Sequence, residues 1–137
     1  IALSPFTPSY YSNYFNGSTD YLTVASVPTL GTGDFTIEGW AYSSSVGNNG
    51  IFHLVSSGFP GATTGLAVAF GGTNGFVLYY NNGSQVFTGT TAPTANTWYH
   101  FAVVRISGTT KLYINGSLAT TVTDGGNYTF TNLINSL

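Results

Sequence analysis

Trp98–Val122, WYHFAVVRISGTTKLYINGSLATTV, decides the fold. Trp98–Ile106 is a long run of aromatic and β-branched residues, and Ser107-Gly108 turns the chain. Lys111–Ile114 then alternates, with Leu112 and Ile114 opposed to Lys111 and Tyr113. Asn115-Gly116 turns it again into Ser117–Val122. Two alternating runs joined by Asn-Gly form the strongest short hairpin signal, because both turn residues must take positive φ. Three meandering antiparallel strands follow, and their apolar sides need a second sheet. Phe35–Ser43, FTIEGWAYS, is expected to lead it. Phe35, Ile37, Gly39 and Ala41 alternate there with Thr36, Glu38, Trp40 and Tyr42. Both sets carry bulk, so the sequence predicts a central strand covered on both faces.

The same reading extends outward. Tyr14–Val24 is expected to be a hairpin turning at Asn16–Thr19, and Val27–Gly33 a loop. Ser44–Gly50 is a small-residue loop before Ile51–Val55. Gly65–Phe70, Phe76–Asn81 and Ser84–Thr88 read as further strands, the last two joined by Asn82-Gly83. Ser56–Thr64 and Thr90–Thr97 connect them. Thr123–Asn127 is glycine-rich loop, and Tyr128–Leu137 is weakly patterned. Asn-Gly occurs five times, and no window pairs a 3.6-residue apolar period with helix formers. Short strands with turn signals every 8–12 residues predict a single all-β sandwich over residues 13–137. Ile1–Ser12, with two prolines, reads as an extended N-terminal arm.

Composition narrows the function classes. The 137 residues hold no cysteine, so disulfides and thiolate metal sites are excluded. Methionine is absent even at position 1, as expected of a processed chain or a piece of a longer one. Only 4% of residues are charged, against about 25% in ordinary soluble domains. Arg105 and Lys111 are the only Lys or Arg, too few to neutralise a phosphate backbone or an anionic bilayer. Neither nucleic acid nor membrane is therefore an expected partner. A surface built on hydroxyls and amides repels copies of itself weakly. Such surfaces suit assembled extracellular or virion proteins.

Three segments carry a family resemblance. Tyr14–Val24, YFNGSTDYLTV, resembles the F-[DN]-G-x-x-D-Y-[LV] opening of laminin-G-like and pentraxin-like domains in the concanavalin A-like lectin/glucanase superfamily. Asp34–Ala41, DFTIEGWA, resembles their FTIEAWV strand, and Trp98–Ala119 their W-[YH]-H-[VF]-A-x-x-[RY]…LYxNGxL segment. Order and spacing also match, over roughly residues 13–122. The Tyr-, Asn- and Thr-rich flavour is that of phage and microbial surface proteins. The resemblance implies a two-sheet antiparallel jelly roll, and glycan binding, adhesion or decoration of larger assemblies. Members usually close with an IGG strand and an F-x-G-x-[IL]-D-x-[VL]-R-[IV] strand beside the N-terminal hairpin, and neither is present. The edge beside Tyr14–Val24 is therefore expected to be covered from elsewhere, by Ile1–Ser12 of another copy or a partner's strand, in an oligomer or a longer chain.

The carboxylates are Asp20, Asp34, Glu38 and Asp124. Glycoside hydrolysis needs two of them about 5–9.5 Å apart. Asp34 and Glu38 stand roughly 13 Å apart on one strand, and the E-x-D-x-x-E cluster of the glucanases is missing, so no catalytic residue is expected. Glu38 is read as the acid of a buried structural ion pair with Arg105 or His100, whose loss should destabilise the fold. His53 and His100 are expected to be strand histidines bonded to a hydroxyl or carbonyl, since no G-x-S-x-G elbow accompanies them. No cofactor is required. Calcium is the metal the resemblance implies, and Asp20 and Asp124 are the loop carboxylates available to it. A glycan site is expected where Asn48, Asn49, Phe59, Tyr80 and Asn82 meet, aromatics stacking on the sugar and amides bonding its hydroxyls. Four N-x-Ser/Thr sequons are near the chance number. The expectation is a non-catalytic, carbohydrate-binding recognition or adhesion module of an extracellular or virion-surface assembly. The alternative is a purely structural, self-assembling or decorating subunit without a glycan ligand.

Overall fold

The structure, a computed structural model, describes residues 12–24, 28–55, 65–80, 84–87, 92–129 and 133–136. Ten strands run in order: β1 Tyr21–Val24, β2 Phe35–Ser43, β3 Asn48–Val55, β4 Gly65–Gly71, β5 Phe76–Tyr80, β6 Ser84–Phe87, β7 Thr97–Ile106, β8 Thr109–Ile114, β9 Ser117–Thr123 and β10 Leu133–Ser136. They form two antiparallel sheets, ordered β1-β10-β3-β4-β5-β6 and β2-β7-β8-β9. This is the all-β jelly-roll sandwich the sequence predicts.

The meander forms as read. Ser107 and Gly108 take φ of 48° and 72°, and Asn115 and Gly116 take 50° and 78°, the doubly positive turns that match strand twist. Their side chains and neighbours fix the register. Asp34 Oδ1 accepts the Ser107 amide at 2.8 Å. Asn115 Oδ1 accepts the His100 amide at 2.9 Å, and the Asn115 amide returns to the His100 carbonyl at 2.8 Å.

β2 stands elsewhere than expected. It pairs directly with β7, from Phe35 opposite Arg105 to Ser43 opposite Thr97. It therefore lies in the same sheet as the meander, and at its edge among the described residues. Its inner face, Phe35, Ile37, Gly39 and Ala41, turns to the core, while Thr36, Glu38 and Trp40 are exposed. Among the described residues no further layer lies on its outer face, where Trp40 stays 43% exposed. The strands buried on both faces lie in the other sheet: in β4 Leu66 and Val68 on one side and Ala67 and Ala69 on the other are all at most 1% exposed, and Ile51–Leu54 of β3 and Phe76–Leu78 of β5 are buried on both faces as well.

The core lies between the sheets. Phe52, Leu54, Leu66, Val68, Phe70, Phe76 and Leu78 meet Ala41, Phe101, Val103 and Leu112. Phe52 and Phe101 stack across the interface with centroids 5.5 Å apart. Gly39 makes room for that stack, since a Cβ there would come within 3.3 Å of the Phe101 ring.

Both chain ends correct the sequence reading. Tyr14 and Phe15 form no strand. Asn16 Oδ1 instead accepts the amides of Ser18, Thr19 and Asp20 at 2.8–3.1 Å, an Asx-type turn, and only Tyr21–Val24 is extended. Leu133–Ser136, too weakly patterned to be read as a strand, lies between β1 and β3. The edge beside the N-terminal segment is thus filled on that side by this chain's own C-terminal strand, where a donated strand was expected. The Ile1–Ser12 arm lies, but for Ser12, outside the described residues.

Candidate functional site

The expected glycan site does not assemble among the described residues. Phe59 and Asn82 lie outside them. Asn48 is the first residue of β3. Asn49 follows it, and its amide nitrogen donates to Ser43 Oγ and to the Ser45 carbonyl and Oγ at 2.9–3.3 Å, holding the β2–β3 turn. Asn49 stands level with Phe70 and, through it, with Phe76. Tyr80 is four residues further along β5, roughly 13 Å away, and packs half-buried against the core.

The expected buried ion pair is also redrawn. Glu38 is exposed, its side chain 65% accessible, and its Oε2 lies 3.9 Å from His100 Nε2, an ion pair when the imidazole is protonated. Arg105 takes no part. Side chains alternate along β7, so His100 and Arg105, five residues apart, point to opposite faces. Arg105 is 2% exposed on the inner side. It donates through Nη1 to the Gly126 carbonyl at 2.7 Å and through Nη2 to that of Asp124 at 2.6 Å. Its Cζ sits 5.5 Å from the centre of the Tyr128 ring.

Asp124, 1% exposed, belongs to this cluster. Its carboxylate accepts from Thr110 Oγ1 at 2.6 Å, from the Gly126 amide at 2.9 Å and from the Tyr128 hydroxyl at 2.8 Å. Nothing in that set is free for a cation. Asp20 in turn binds the Asn16 amide at 3.1 Å. Among the described residues no three His, Cys, Asp or Glu side chains gather as metal ligands. Asp20 and Asp124 therefore do not fit the calcium role that the resemblance implies, and both serve local structure.

Among the described residues, the outer face of β2 and β7 gathers aromatic and polar side chains that reach solvent. Register sets Tyr42 opposite Trp98, Trp40 opposite His100 and Glu38 opposite Ala102. Tyr42 and Trp98 have ring centroids 5.4 Å apart, and Trp40 meets His100 edge-on at 5.3 Å. The two aromatic rungs are successive outward positions, roughly 7 Å apart along the strands. Trp40 is 43% exposed. Polar groups rim the strip. The Tyr42 hydroxyl donates to Asn96 Oδ1 at 3.0 Å at one end, and Glu38 stands at the other. Both tryptophans of the chain lie in this strip. Sequence reasoning missed it by taking outward bulk on β2 for burial. The available signal was the matching two-residue spacing of Trp40/Tyr42 and Trp98/His100.

With this geometry in hand, comparison with known proteins places the chain. The Laminin_G_3 family of the concanavalin A-like lectin/glucanases superfamily matches residues 16–135. The chain belongs to that family. No curated protein sequence matches it significantly. Among solved structures, it is similar to a Bacillus licheniformis beta-glucanase at 21% identity and a TM-score of 0.49, over 83% of this chain and 62% of the enzyme.

Proposed function

We propose that this laminin-G-like domain is a non-catalytic carbohydrate-recognition module, and that the strip Trp40, Tyr42, Trp98, His100 and Glu38 is its binding surface. The observation that carries the reading is the pair of aromatic rungs, half-buried but for exposed Trp40, with a solvent-facing carboxylate beside it. Aromatic rings offer a sugar's C–H face a dry platform, and Glu38, His100 and Asn96 supply acceptors and donors for hydroxyls. Family membership in a lectin-containing superfamily agrees with this. A non-catalytic role is supported by the carboxylates. Glu38 is the only one on the strip. Asp34 is about 13 Å along the strand and caps a turn, Asp124 is buried, and Asp20 is bound in the Asn16 turn. The charge-poor surface, rich in hydroxyls and amides, supports a place in an extracellular or virion-surface assembly, with adhesion as the use of the binding.

The test is direct, since both tryptophans report on the strip. A panel of neutral glycans titrated against intrinsic fluorescence should find at least one saturable, sugar-competable ligand. Trp40→Ala should weaken that binding at least tenfold while thermal stability stays near wild type. A panel without a ligand refutes the reading.

A second reading has its own observation. Ile106 at 59%, Leu118 at 56% and Tyr21 at 61% are exposed elsewhere on a surface with little charge to repel a neighbour. This favours a structural subunit that binds copies of itself or a shell protein. Concentration-dependent assembly indifferent to sugar supports that alternative.

A further inference from the structure

We infer that the ligand of this strip is an extended, uncharged glycan chain bound along β7 through internal units, and not a single terminal sugar. The inference rests on the proposed glycan-binding role of the strip.

The shape of the face carries it. Three outward rungs follow one another, Tyr42–Trp98, Trp40–His100 and Glu38–Ala102. At roughly 7 Å per rung they make a track on the order of 14 Å long, one ring pair wide at 5.3–5.4 Å. That outline is long and narrow. The third rung falls away from the aromatic pairs. Ala102 carries only a methyl group, flanked along β7 by His100 and Val104 and across the sheet by Glu38 and Tyr113. A chain lying on the two aromatic rungs meets a low floor there, with a carboxylate at its side.

The charge pattern selects an uncharged chain. The track itself carries one acid, Glu38. One base, Lys111, lies opposite Val104 one rung further on. Exposed Asp34, beyond the track at the start of β2, caps the Ser107 turn. Arg105 and Asp124 are buried away from it. A carboxylate only accepts hydrogen bonds and an ammonium only donates them. A hydroxyl does both, so a polyhydroxylated neutral chain satisfies each in turn. With one charge of each sign on it or one rung beyond, the track offers neither a polyanion nor a polycation a net attraction.

The test is a chain-length series. Neutral linear oligosaccharides of one to six units, from the sugar class that the fluorescence panel identifies, are titrated by calorimetry against wild type and Glu38→Ala. Glu38 is exposed, so the variant keeps its fold. Wild-type affinity should rise at least tenfold between the monosaccharide and the trisaccharide and then level off. Glu38→Ala should reduce the trisaccharide affinity severalfold, and by a larger factor than it reduces the weak monosaccharide affinity. Equal affinity for one and for several units overturns the extended-chain inference while leaving glycan recognition standing. Tighter binding of a charged glycan of matched length overturns it as well. Failure of every chain to bind overturns both.

Discussion

Two carboxylates show how little residue type says without the face it points to. Glu38 sits in a strand between apolar neighbours yet faces water, while Asp124 sits in a glycine-rich loop yet is 1% exposed. Asp124→Ala would leave Thr110, Tyr128 and the Gly126 amide without their acceptor inside the fold. Unsatisfied buried groups of this kind cost about 1–3 kcal/mol each, so a loss of about 3 kcal/mol in urea unfolding is expected. Glu38→Ala should stay within about 0.5 kcal/mol of wild type, which reverses the expectation drawn from sequence. Half of that outcome was legible beforehand. The five-residue spacing of His100 and Arg105 already forbids both from sharing a face of one strand, so Glu38 could meet only one of them. What was not legible is that the loop after β9 folds back under Arg105, because its carbonyl acceptors belong to Asp124 and Gly126 and carry no side-chain signature. His53 gives a second prediction. It is 1% exposed, and burial lowers its pKa from 6.5 to about 4. The unfolded chain takes up this proton near pH 6.5 and the folded chain only near 4, so the unfolded state binds more protons between the two. Stability should therefore fall as pH drops through that window, by on the order of 3 kcal/mol, and change no further below it. Unfolding free energies from urea titration at pH 7 and 4.5 should differ less in His53→Leu than in wild type, by about that amount.

At the scale of elements, local chemistry and tertiary pairing divide the credit. β7, β8 and β9 were readable because each turn needs two positive φ values and Ser-Gly and Asn-Gly supply them, while alternation assigns the faces. β3, β4, β5 and β6 were found within a few residues from their runs of apolar and β-branched residues. The Asn16-Gly17 turn shows the limit of that rule. Asn16 spends its Oδ1 on three following amides, which closes a local turn and leaves Tyr14 and Phe15 out of any strand. β2 was recognised as a strand but given the wrong surroundings. Alternating bulk fits a strand buried twice, and it fits equally well one that buries Phe35 and Ile37 inside and packs Trp40 and Tyr42 against its neighbour's His100 and Trp98 outside. Only the register with β7 separates these cases. That register also creates the proposed binding strip, so the strip stayed hidden for as long as the partner strand was unknown.

The molecule as a whole depends on a strand that sequence could not mark. Leu133–Ser136 is four residues long and has no flanking turn signal, yet it pairs with β1 over four positions, Tyr21 with Ser136 to Val24 with Leu133, and with β3 at Leu54 and His53. Among the described strands β1 has no other partner. Nearer the start of the closing segment, Tyr128 exchanges backbone hydrogen bonds with Gly31 at 2.8 and 2.9 Å and is fully buried against Phe35, the ring centroids 5.9 Å apart. β10 thus ties the N-terminal strand to the six-stranded sheet, and Tyr128 caps the end of the four-stranded one. Ending the chain after Asn132 keeps Tyr128 and its carboxylate network but removes β10. The β1 backbone and the β3 edge would then be open together, and unpaired edges recruit other strands. The truncated chain should melt roughly 10 °C lower, as expected for a loss of a few kcal/mol in a domain of this size. It should also elute as concentration-dependent oligomers by size exclusion. Adding a synthetic peptide spanning residues 131–137 should restore the monomer, because the groove between β1 and β3 takes that strand in one register. A truncated chain that stays monomeric with an unchanged melting temperature would show that β10 decorates the sheet and does not close it.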